Sequence, residues 1–381
     1  MSSTVVIAPD KFKGSLTATQ AAQALQRGVH AARPDARCLL CPMGDGGEGT
    51  VDVFLERGST RKSARVRGPL GAAIEAVYAL RDGTAVLEMA SASGLGLLEK
   101  AKYDPMRADT FGTGELLRAA LDAGAKRVII GIGGSATNDA GVGMLRALGA
   151  RFLEADATVL EAGIASYERL ATIDLRALDP RLAGIRIDVA VDVDNPLCGD
   201  HGAARTFAPQ KGASPQDVAV LDRVMEHIAD VAERTLHRDF RNVPGAGAAG
   251  GLGFALAAFL GAQMEPGVAL IAREWDLDEQ LRGAALCLTG EGKIDEQTLH
   301  GKTVAGVGEL ARARNVPVIA FGGMVDSAAI AGLARRGIST VRIAPEGMAV
   351  EESIRNAAQL LEAAAKTAAL HALGGTSHAA P

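Results

Sequence analysis

A repeating pattern of strands and helices most constrains what this chain can fold into. Short runs rich in Val, Ile and Leu end at loops of glycines or acids, and Ala- and Leu-rich helical patterns lie between them. The apolar runs are residues 5–8, 85–88, 128–130, 187–191, 285–288, 318–320 and 340–343. The helical patterns are residues 17–30, 113–123, 215–236, 302–314 and 348–373. Strands this apolar are usually buried on both faces, so the pattern predicts an α/β fold with largely parallel sheets covered by helices.

Composition and charge exclude several classes of partner. The 381 residues carry 45 acidic and 40 basic side chains, with a net charge of −5. Nucleic acids and anionic membranes require a basic stripe or patch, and the Lys and Arg residues here are scattered. Residues 243–264 carry no charge, but residues 245–251 read as a loop, so we expect no membrane span. These features favour a small polar ligand. The N-terminal residues resemble no targeting segment, which favours a cytoplasmic location. The sequence leaves open whether the protein forms a homo-oligomer.

Residues with chemical function gather just after the predicted strands. In open α/β sheets, ligands bind outside the carboxyl ends of the strands. The residues that stand out there are, in chain order, Asp10, Lys13, Asp45, Gly46, Gly47, Glu48, Gly133, Gly134, Ser135, Asn138, Asp139, Asp192, Asp194, Asn195, Gly290, Glu291, Gly292 and Asp295. They are mostly acids and glycines, which suits the binding of a polar ligand.

The segment GIGGSATNDAG, residues 131–141, is the most glycine-rich of these loops. Glycines allow a backbone to approach a ligand closely, and open amides bind anions, so we expect a phosphate site, although the loop has no lysine. The loop also fits G-x-G-x-x-A through Gly131, Gly133 and Ala136, which keeps an NAD-dependent hydroxy-acid dehydrogenase as the alternative. Residues 296–303 end like a P-loop, but Glu296 stands where that motif requires glycine.

Two groups of acids have a structural as well as a functional interpretation. Asp45 and Glu48 are typical of a ligand site in a glycine-rich turn, or of the cap of a helix that begins near Thr50. Asp192 and Asp194 are two residues apart and would share one face of a strand. Like charges are rarely buried together unless a cation or ligand compensates them, so this spacing favours a functional role. The following Asn-Pro pair is also explained by a turn.

Seven longer motifs resemble the bacterial glycerate kinase family, which includes enzymes of the glucarate and glyoxylate pathways. In chain order they are IAPDKFKGSLTA, PMGDGGEGTVD, GIGGSATNDAGVGML, DVDNPLCG, FAPQKGA, PGAGAAGGLGFA and LTGEGKIDEQTLHGKTVAGV. The resemblance runs from about residue 5 to about residue 320. Two positions depart from the usual family residues, with Lys11 in place of Ser and Gly44 in place of Ala.

The resemblance implies ATP-dependent phosphorylation of D-glycerate, with 2-phosphoglycerate favoured over 3-phosphoglycerate as the product. It also implies two α/β domains with Rossmann- or flavodoxin-like sheets and a cleft between them. One domain would be discontinuous, formed by residues 1–65 and 265–381, and the other would be formed by residues 66–264. The partners implied are glycerate and a nucleotide, with ATP and Mg²⁺ as cofactors.

Phosphoryl transfer requires charge stabilisation at the phosphate, a magnesium ion and an acid that orients or deprotonates the hydroxyl group. We expect Asp192 or Asp194 as the base and Lys13 as the catalytic cation, which would attract either the transferring phosphoryl group or the glycerate carboxylate. The residues expected to bind glycerate are Asp10, Asp45, Gly46, Gly47, Glu48 and Asn195. Those expected to bind the nucleotide are Gly133, Gly134, Ser135, Asn138, Gly290, Glu291 and Gly292. Those expected to bind magnesium are Asp139 and Asp295. Asn138 with Asp139 could hold either magnesium or the nucleotide, and Asp45 with Glu48 could bind metal instead of glycerate.

Overall fold

Strands and helices alternate along the chain in the computed structural model, which describes residues 3–44, 46–299 and 302–374. The strands are β1 Thr4–Ile7, β2 Arg37–Leu40, β3 Thr60–Arg67, β4 Ala73–Arg81, β5 Thr84–Glu88, β6 Arg127–Gly131, β7 Arg151–Leu153, β8 Thr172–Asp174, β9 Arg186–Ala190, β10 Gln263–Glu265, β11 Leu286–Ile294, β12 Val318–Val325 and β13 Ile338–Arg342. The helices are α1 Ala18–Ala32, α2 Thr50–Glu56, α3 Ala90–Ser93, α4 Phe111–Asp122, α5 Val142–Ala147, α6 Ile164–Tyr167, α7 Ala203–Phe207, α8 Pro215–Leu236, α9 Ala248–Leu260, α10 Gly267–Glu274, α11 Leu277–Gln280, α12 Thr303–Ala313, α13 Ser327–Arg335, α14 Val350–Arg355 and α15 Ala357–Leu373. Short 3₁₀ turns lie at Leu95–Leu97, Lys100–Lys102, Pro180–Gly184, Pro209–Lys211 and Glu296–Leu299.

The first of two units comprises residues 1–45 and 266–381. Its sheet has the order β13-β12-β11-β1-β2, and every pair of neighbouring strands is parallel. The apolar residues of β1 are fully buried, because helices cover both faces of a parallel sheet. Helix α1 begins at a capping box in which the Thr17 side chain accepts from the Gln20 amide, and it packs along α15.

The second unit comprises residues 46–265. Its sheet has the order β10-β9-β6-β5-β4-β3, in which β10, β9, β6 and β5 run parallel and the pairs β5–β4 and β4–β3 are antiparallel. A small antiparallel pair, β7 and β8, lies outside this sheet. The buried residues of β5, β6 and β9 form one core with those of α4, α8 and α9.

The prediction of an α/β fold with largely parallel sheets is confirmed, and each apolar run overlaps a strand. The predicted helix at residues 215–236 is α8. Its start is set by Ser214, whose hydroxyl oxygen accepts from the Asp217 amide at 3.2 Å, and by a proline at the first helical position. No helix in the described part of the chain is long and apolar enough to cross a bilayer, and the backbone of α9 is non-helical at residues 249–251.

Several features differ from the sequence expectations. Strand β11 continues to Ile294, so Gly290, Glu291 and Gly292 are strand residues rather than loop residues. The pattern at residues 348–373 is two helices, α14 and α15. The hairpin of β3 and β4 was not predicted, because β3 is mostly exposed and carries several charges. The division between the units falls after residue 45 rather than after residue 65, since the α2–β3 segment packs with the second sheet.

Candidate active site

The glycine-rich loop of the second unit extends from the carboxyl end of a central strand. Strand β6 pairs with β5 through Gly131 and Glu88 and with β9 through Gly131 and Ala190. The loop then runs to Gly141, and helix α5 begins at Val142. In an open parallel sheet this edge is where ligands bind, so the loop lies where its composition predicts a site.

The segment that follows residue 45 packs directly against this loop. A Cβ atom on Gly131 would overlap the carbonyl oxygen of Gly46, and one on Gly133 would lie 3.1 Å from the Cα atom of Gly47. Only glycine allows two backbones to approach this closely. The structure therefore brings Gly46 and Gly47 together with the loop, while Glu48 is exposed. Asp45 lies outside the described residues.

Three consecutive amides of the loop are free. In the part of the chain that the structure describes, the amides of Gly133, Gly134 and Ser135 donate to no acceptor, and the Ser135 hydroxyl group has no partner either. Gly133 and Gly134 are exposed, whereas Ser135 is buried. The carbonyl oxygen of Gly134 accepts from the Leu95 amide at 2.9 Å, which holds this turn against α3 and the residues that follow it. Free successive amides of this kind form anion-binding concavities.

Asp139 holds the loop from within. Its carboxylate is buried and accepts from four donors, namely the Thr110 amide (2.9 Å), the Thr110 hydroxyl group (2.8 Å), the Gly143 amide (2.9 Å) and the Gly141 amide (3.2 Å). Burial raises the pKa of Asp139, and the donated hydrogen bonds oppose that shift. A carboxylate that accepts this many bonds from the protein is suited to fix a loop rather than to ligate an ion.

Lys211 was missed by the sequence reasoning and lies at the base of the same loop. It is 1% exposed, and its Nζ atom donates to the carbonyl oxygen of Thr137 at 2.6 Å. Burial lowers the pKa of Lys211 to about 7, and the nearby Asp139 charge opposes the shift. The residue belongs to the FAPQKGA motif, but a single lysine at the end of a 3₁₀ turn gives no local signal of burial, so only the packing shows its place.

The loop is held on a second side by the glycines that precede the apolar part of α9. Gly250 has φ +66°, and a Cβ atom there would overlap the carbonyl oxygen of Thr137. The Ala140 amide donates to the carbonyl oxygen of Gly250 at 3.0 Å. Between these supports, the side chain of Asn138 is fully buried and both of its polar atoms lack a partner in the described residues. Since buried polar groups are nearly always paired, Asn138 indicates a place for a ligand atom or water.

The acids after β9 do not have the environment predicted for them. Strand β9 ends at Ala190, so Asp192 and Asp194 do not share a strand face, and both are exposed. The argument from two buried like charges is therefore wrong, because these side chains remain in solvent. Asn195 fixes the loop that follows, since its amide nitrogen donates to the carbonyl oxygen of His201 at 2.8 Å.

A second group of acids lies at the carboxyl ends of β1 and β11 in the first unit. Asp10 is 7% exposed and accepts from the Lys11 amide and the Thr303 hydroxyl group, both at 2.7 Å. Glu291 accepts from the Thr298 hydroxyl group at 2.7 Å. Burial raises the pKa of Glu291 to about 7, with a smaller contribution from the negative charge of Asp10.

The remaining predicted residues of the first unit take different environments. Asp295 pairs with Lys293, with Oδ2 and Nζ 3.1 Å apart. Gly290 lies against the backbone of β12, and Gly292 lies against the Lys13 amide, where a Cβ atom would come within 2.9 Å. Lys13 itself is exposed. Among residues 3–44, 46–299 and 302–374, no three His, Cys, Asp or Glu side chains form a group that could hold a metal ion.

Comparison with known proteins gives one consistent result. The model of the glycerate kinase family matches residues 5–372. A curated protein named glycerate kinase from Halalkalibacterium halodurans is 44% identical over 370 residues, covering 96% of this chain and 97% of that protein. Glycerate 2-kinase from Escherichia coli K12 is 47% identical over 323 residues, or 84% of each chain. A crystal structure from Salmonella typhimurium LT2, assigned as a glycerate kinase 2, has a TM-score of 0.86 and 40% identity and covers 98% of this chain and 99% of that one.

Proposed function

The chain belongs to the glycerate kinase family, and from this premise we propose that it transfers the γ-phosphoryl group of ATP to D-glycerate, forming 2-phosphoglycerate and ADP. In this reaction the oxygen–phosphorus bond to glycerate forms while the bond between the γ-phosphorus and the β,γ-bridging oxygen breaks, and the hydroxyl proton passes to a base. The preference for the 2-hydroxyl group is supported by the similarity to the E. coli protein named glycerate 2-kinase.

The observation that carries this proposal is the set of free amides at Gly133, Gly134 and Ser135. They follow a central parallel strand, and Asp139 and Lys211 fix the loop that presents them. Preorganised donors stabilise phosphoryl oxygens because they need no rearrangement as charge develops. We propose that these amides and the Ser135 hydroxyl group bind phosphate oxygens of ATP, and that the unpaired side chain of Asn138 completes this site.

The same loop gives no support to the dehydrogenase alternative. In a dinucleotide-binding motif the glycines open directly into a helix, so that its N-terminus faces the pyrophosphate. Here α5 begins only at Val142, six residues after Ala136, and the intervening residues are held by Lys211 and Gly250. The family match likewise points to a kinase.

We propose Glu291 as the proton acceptor. A base that works near neutral pH requires a pKa close to that pH, and the raised pKa of Glu291 meets this condition. Asp192 and Asp194 stay as the second choice, since they lie after a parallel strand but are exposed to water. Asp10, Glu48, Gly46 and Gly47 are proposed to bind glycerate, as is Asp45. Asn195 is proposed to position the loop after β9 through its bond to His201.

The described residues do not fit a magnesium site held by the protein alone. The carboxylate of Asp139 already accepts four hydrogen bonds, and Asp295 pairs with Lys293. In phosphoryl-transfer enzymes magnesium is commonly held largely by the substrate phosphates. We therefore propose that Mg²⁺ binds together with ATP, coordinated mainly by the phosphate groups. We also propose that the reaction takes place in the cytoplasm, where ATP is available.

An assay of ADP release tests the proposal. The protein is incubated with ATP, Mg²⁺ and D-glycerate, with parallel reactions that lack glycerate, lack Mg²⁺ or contain NAD⁺ in place of ATP. Phosphorus NMR of the product separates 2-phosphoglycerate from 3-phosphoglycerate. We expect ADP only when both D-glycerate and Mg²⁺ are present, together with the 2-phosphoglycerate resonance. Glycerate-independent ADP release, or reduction of NAD⁺, would count against the proposed reaction.

The choice of base is tested with matched carboxylate-to-amide variants. Glu291→Gln is compared with Asp192→Asn and Asp194→Asn under the same conditions. We expect Glu291→Gln to lower kcat by about 10²- to 10⁴-fold, the usual contribution of general base catalysis. The other two variants should keep kcat within a few-fold of the original protein, and the reverse order would assign the base to the β9 loop.

A further inference from the structure

A small cavity in the first unit lies at the carboxyl ends of four strands of its sheet. It has a volume of about 130 Å³ and is lined by residues that follow or end β1, β11, β12 and β13, together with α14. Phe12, Lys13 and Ser15 come from the loop after β1, and Arg342 ends β13. This is the edge of a parallel sheet at which ligands bind.

The charges that line the cavity are all positive. Lys13 and Arg342 are its charged residues, and neither forms an ion pair or hydrogen bond within the described part of the chain. No Asp or Glu is among the described residues that line it. The acids in the first turn of α14, Glu351 and Glu352, are exposed and do not line the cavity. Two cations that meet at one cavity without a counter-charge attract an anion there.

The floor of the cavity is backbone. A Cβ atom on Gly292 would lie 2.9 Å from the Lys13 amide nitrogen, and one on Gly323 would lie 2.8 Å from the carbonyl oxygen of Gly292. Side chains are therefore excluded where the strands β11 and β12 meet the loop after β1. Gly292 and Gly323 are nevertheless part of the lining, together with Ser15 and Ser353, so main-chain groups and two hydroxyl groups border the cavity.

The size of the cavity selects among anions. Its volume is about 130 Å³. Pockets for larger ligands span about 300 to 1,000 Å³. The cavity is therefore too small to enclose a whole nucleotide, but it can enclose one carboxylate or phosphate group with a few attached atoms.

We infer that Lys13 and Arg342 form an oxyanion subsite in this cavity that binds the carboxylate of the acid substrate or a single phosphate group of the nucleotide. Arg342 is the new element, because its planar guanidinium group can donate two parallel hydrogen bonds to either group. The identity of the ligand rests on the proposed function, but the existence of the subsite does not.

The test measures the full-length enzyme and its Arg342→Gln variant in steady-state kinetics at constant ionic strength. Arg335→Gln is the matched control, because Arg335 is an exposed arginine of the same unit that does not line the cavity. A charge-assisted hydrogen bond contributes enough that its loss should raise KM at least about tenfold. A rise in KM for D-glycerate assigns the subsite to the carboxylate, and a rise in KM for ATP assigns it to a phosphate group.

Two further variants keep the inference falsifiable. Arg342→Lys keeps the positive charge but lacks the planar guanidinium group that donates two parallel hydrogen bonds. Its affinity should therefore lie between that of the original protein and that of Arg342→Gln. Ser353→Glu places a carboxylate in the lining and should raise the same KM as Arg342→Gln. If Arg342→Gln and Ser353→Glu both match Arg335→Gln in both KM values, the inference is overturned while the glycerate kinase activity stands.

Direct binding separates failure of the subsite from failure of the proposed function. Isothermal titration with D-glycerate and with inorganic phosphate is carried out on the original protein and on Arg342→Gln. Binding that is lost in Arg342→Gln but retained in Arg335→Gln supports the subsite even if no ADP is formed. Binding that is equal in all three proteins overturns it.

Discussion

Replacing Lys211 with methionine should make the stability of the protein depend on pH in a specific way. Lys211 is fully buried, and its pKa falls from the usual 10.5 to about 7 because burial disfavours its charge. Between these two pH values the unfolded chain binds a proton at this position that the folded chain does not. The free energy of unfolding of the original protein therefore contains a contribution that rises with pH from about 7 to about 10.5.

The magnitude follows from the size of the shift. Each pH unit changes the contribution of one proton by about 1.4 kcal/mol, so the whole interval amounts to about 5 kcal/mol. Lys211→Met carries no such group. Near pH 7 the variant should be at least as stable as the original protein, even though it loses the hydrogen bond to Thr137, which contributes about 0.5 to 1.5 kcal/mol when the amine is neutral. Towards pH 10 this advantage should disappear.

Urea unfolding of both proteins at pH 7, 8, 9 and 10 measures the effect. The difference in unfolding free energy between Lys211→Met and the original protein should shift by about 1.4 kcal/mol per pH unit, since other titrating groups cancel in it. Lys126→Met removes an exposed lysine of the same unit and should give a pH-independent difference. A Lys211→Met difference that is equally flat would refute the burial argument. We also expect this variant to have a raised KM for ATP, because the Thr137 carbonyl loses the donor that fixes the loop.

Three other outcomes are expected. In the original protein kcat/KM should rise with pH through about 7, since Glu291 must lose its proton to act as a base. This rise of kcat/KM should be absent in Glu291→Gln, and an unchanged rise in that variant would exclude Glu291 as the base. Gly250→Ala should lower the unfolding free energy by about 3 kcal/mol or more, because residue 250 has a left-handed backbone conformation and the new methyl group would overlap the Thr137 carbonyl oxygen. The control Gly261→Ala changes a residue that is also left-handed but has open space around it, and it should cost only about 1 to 2 kcal/mol. Equal losses of stability in thermal unfolding would contradict the overlap at residue 250. Asp139→Asn should destabilise by about 1 to 3 kcal/mol, because an amide group cannot accept all four hydrogen bonds, and a melting temperature equal to that of the original protein would argue against this role.

The sequence predicted the parts of the fold that local pattern encodes. The continuous apolar runs mark β1, β6 and β9, since strands buried on both faces need no polar residues. Ser214 and the proline after it mark the start of α8, because capping depends on neighbours in the chain. The edge hairpin β3–β4 escaped the same reasoning, because β3 is largely exposed and polar and β4 mixes buried, half-buried and exposed residues instead of forming one continuous buried run.

For the candidate site, the sequence alone identified the chain segments that contain it, but not the contacts between residues of different segments. The loop at residues 131–141 was predicted to bind phosphate, and its free amides support that interpretation. Asp192 and Asp194 were predicted from spacing to be buried together, but a strand that ends two residues earlier leaves them in water. Spacing alone does not show where a strand ends.

Sequence by itself thus determined the fold class and the family, because helix and strand periods and long ordered motifs are properties of the chain. Tertiary structure alone decided which distant groups meet. Lys211 reaches Thr137 across 74 residues, and Gly250 lies against the same carbonyl from farther along the chain. Such contacts arise when separate elements pack on one sheet, and no local pattern records them. The burial that results changes the pKa of Lys211, and with it the chemistry of the loop.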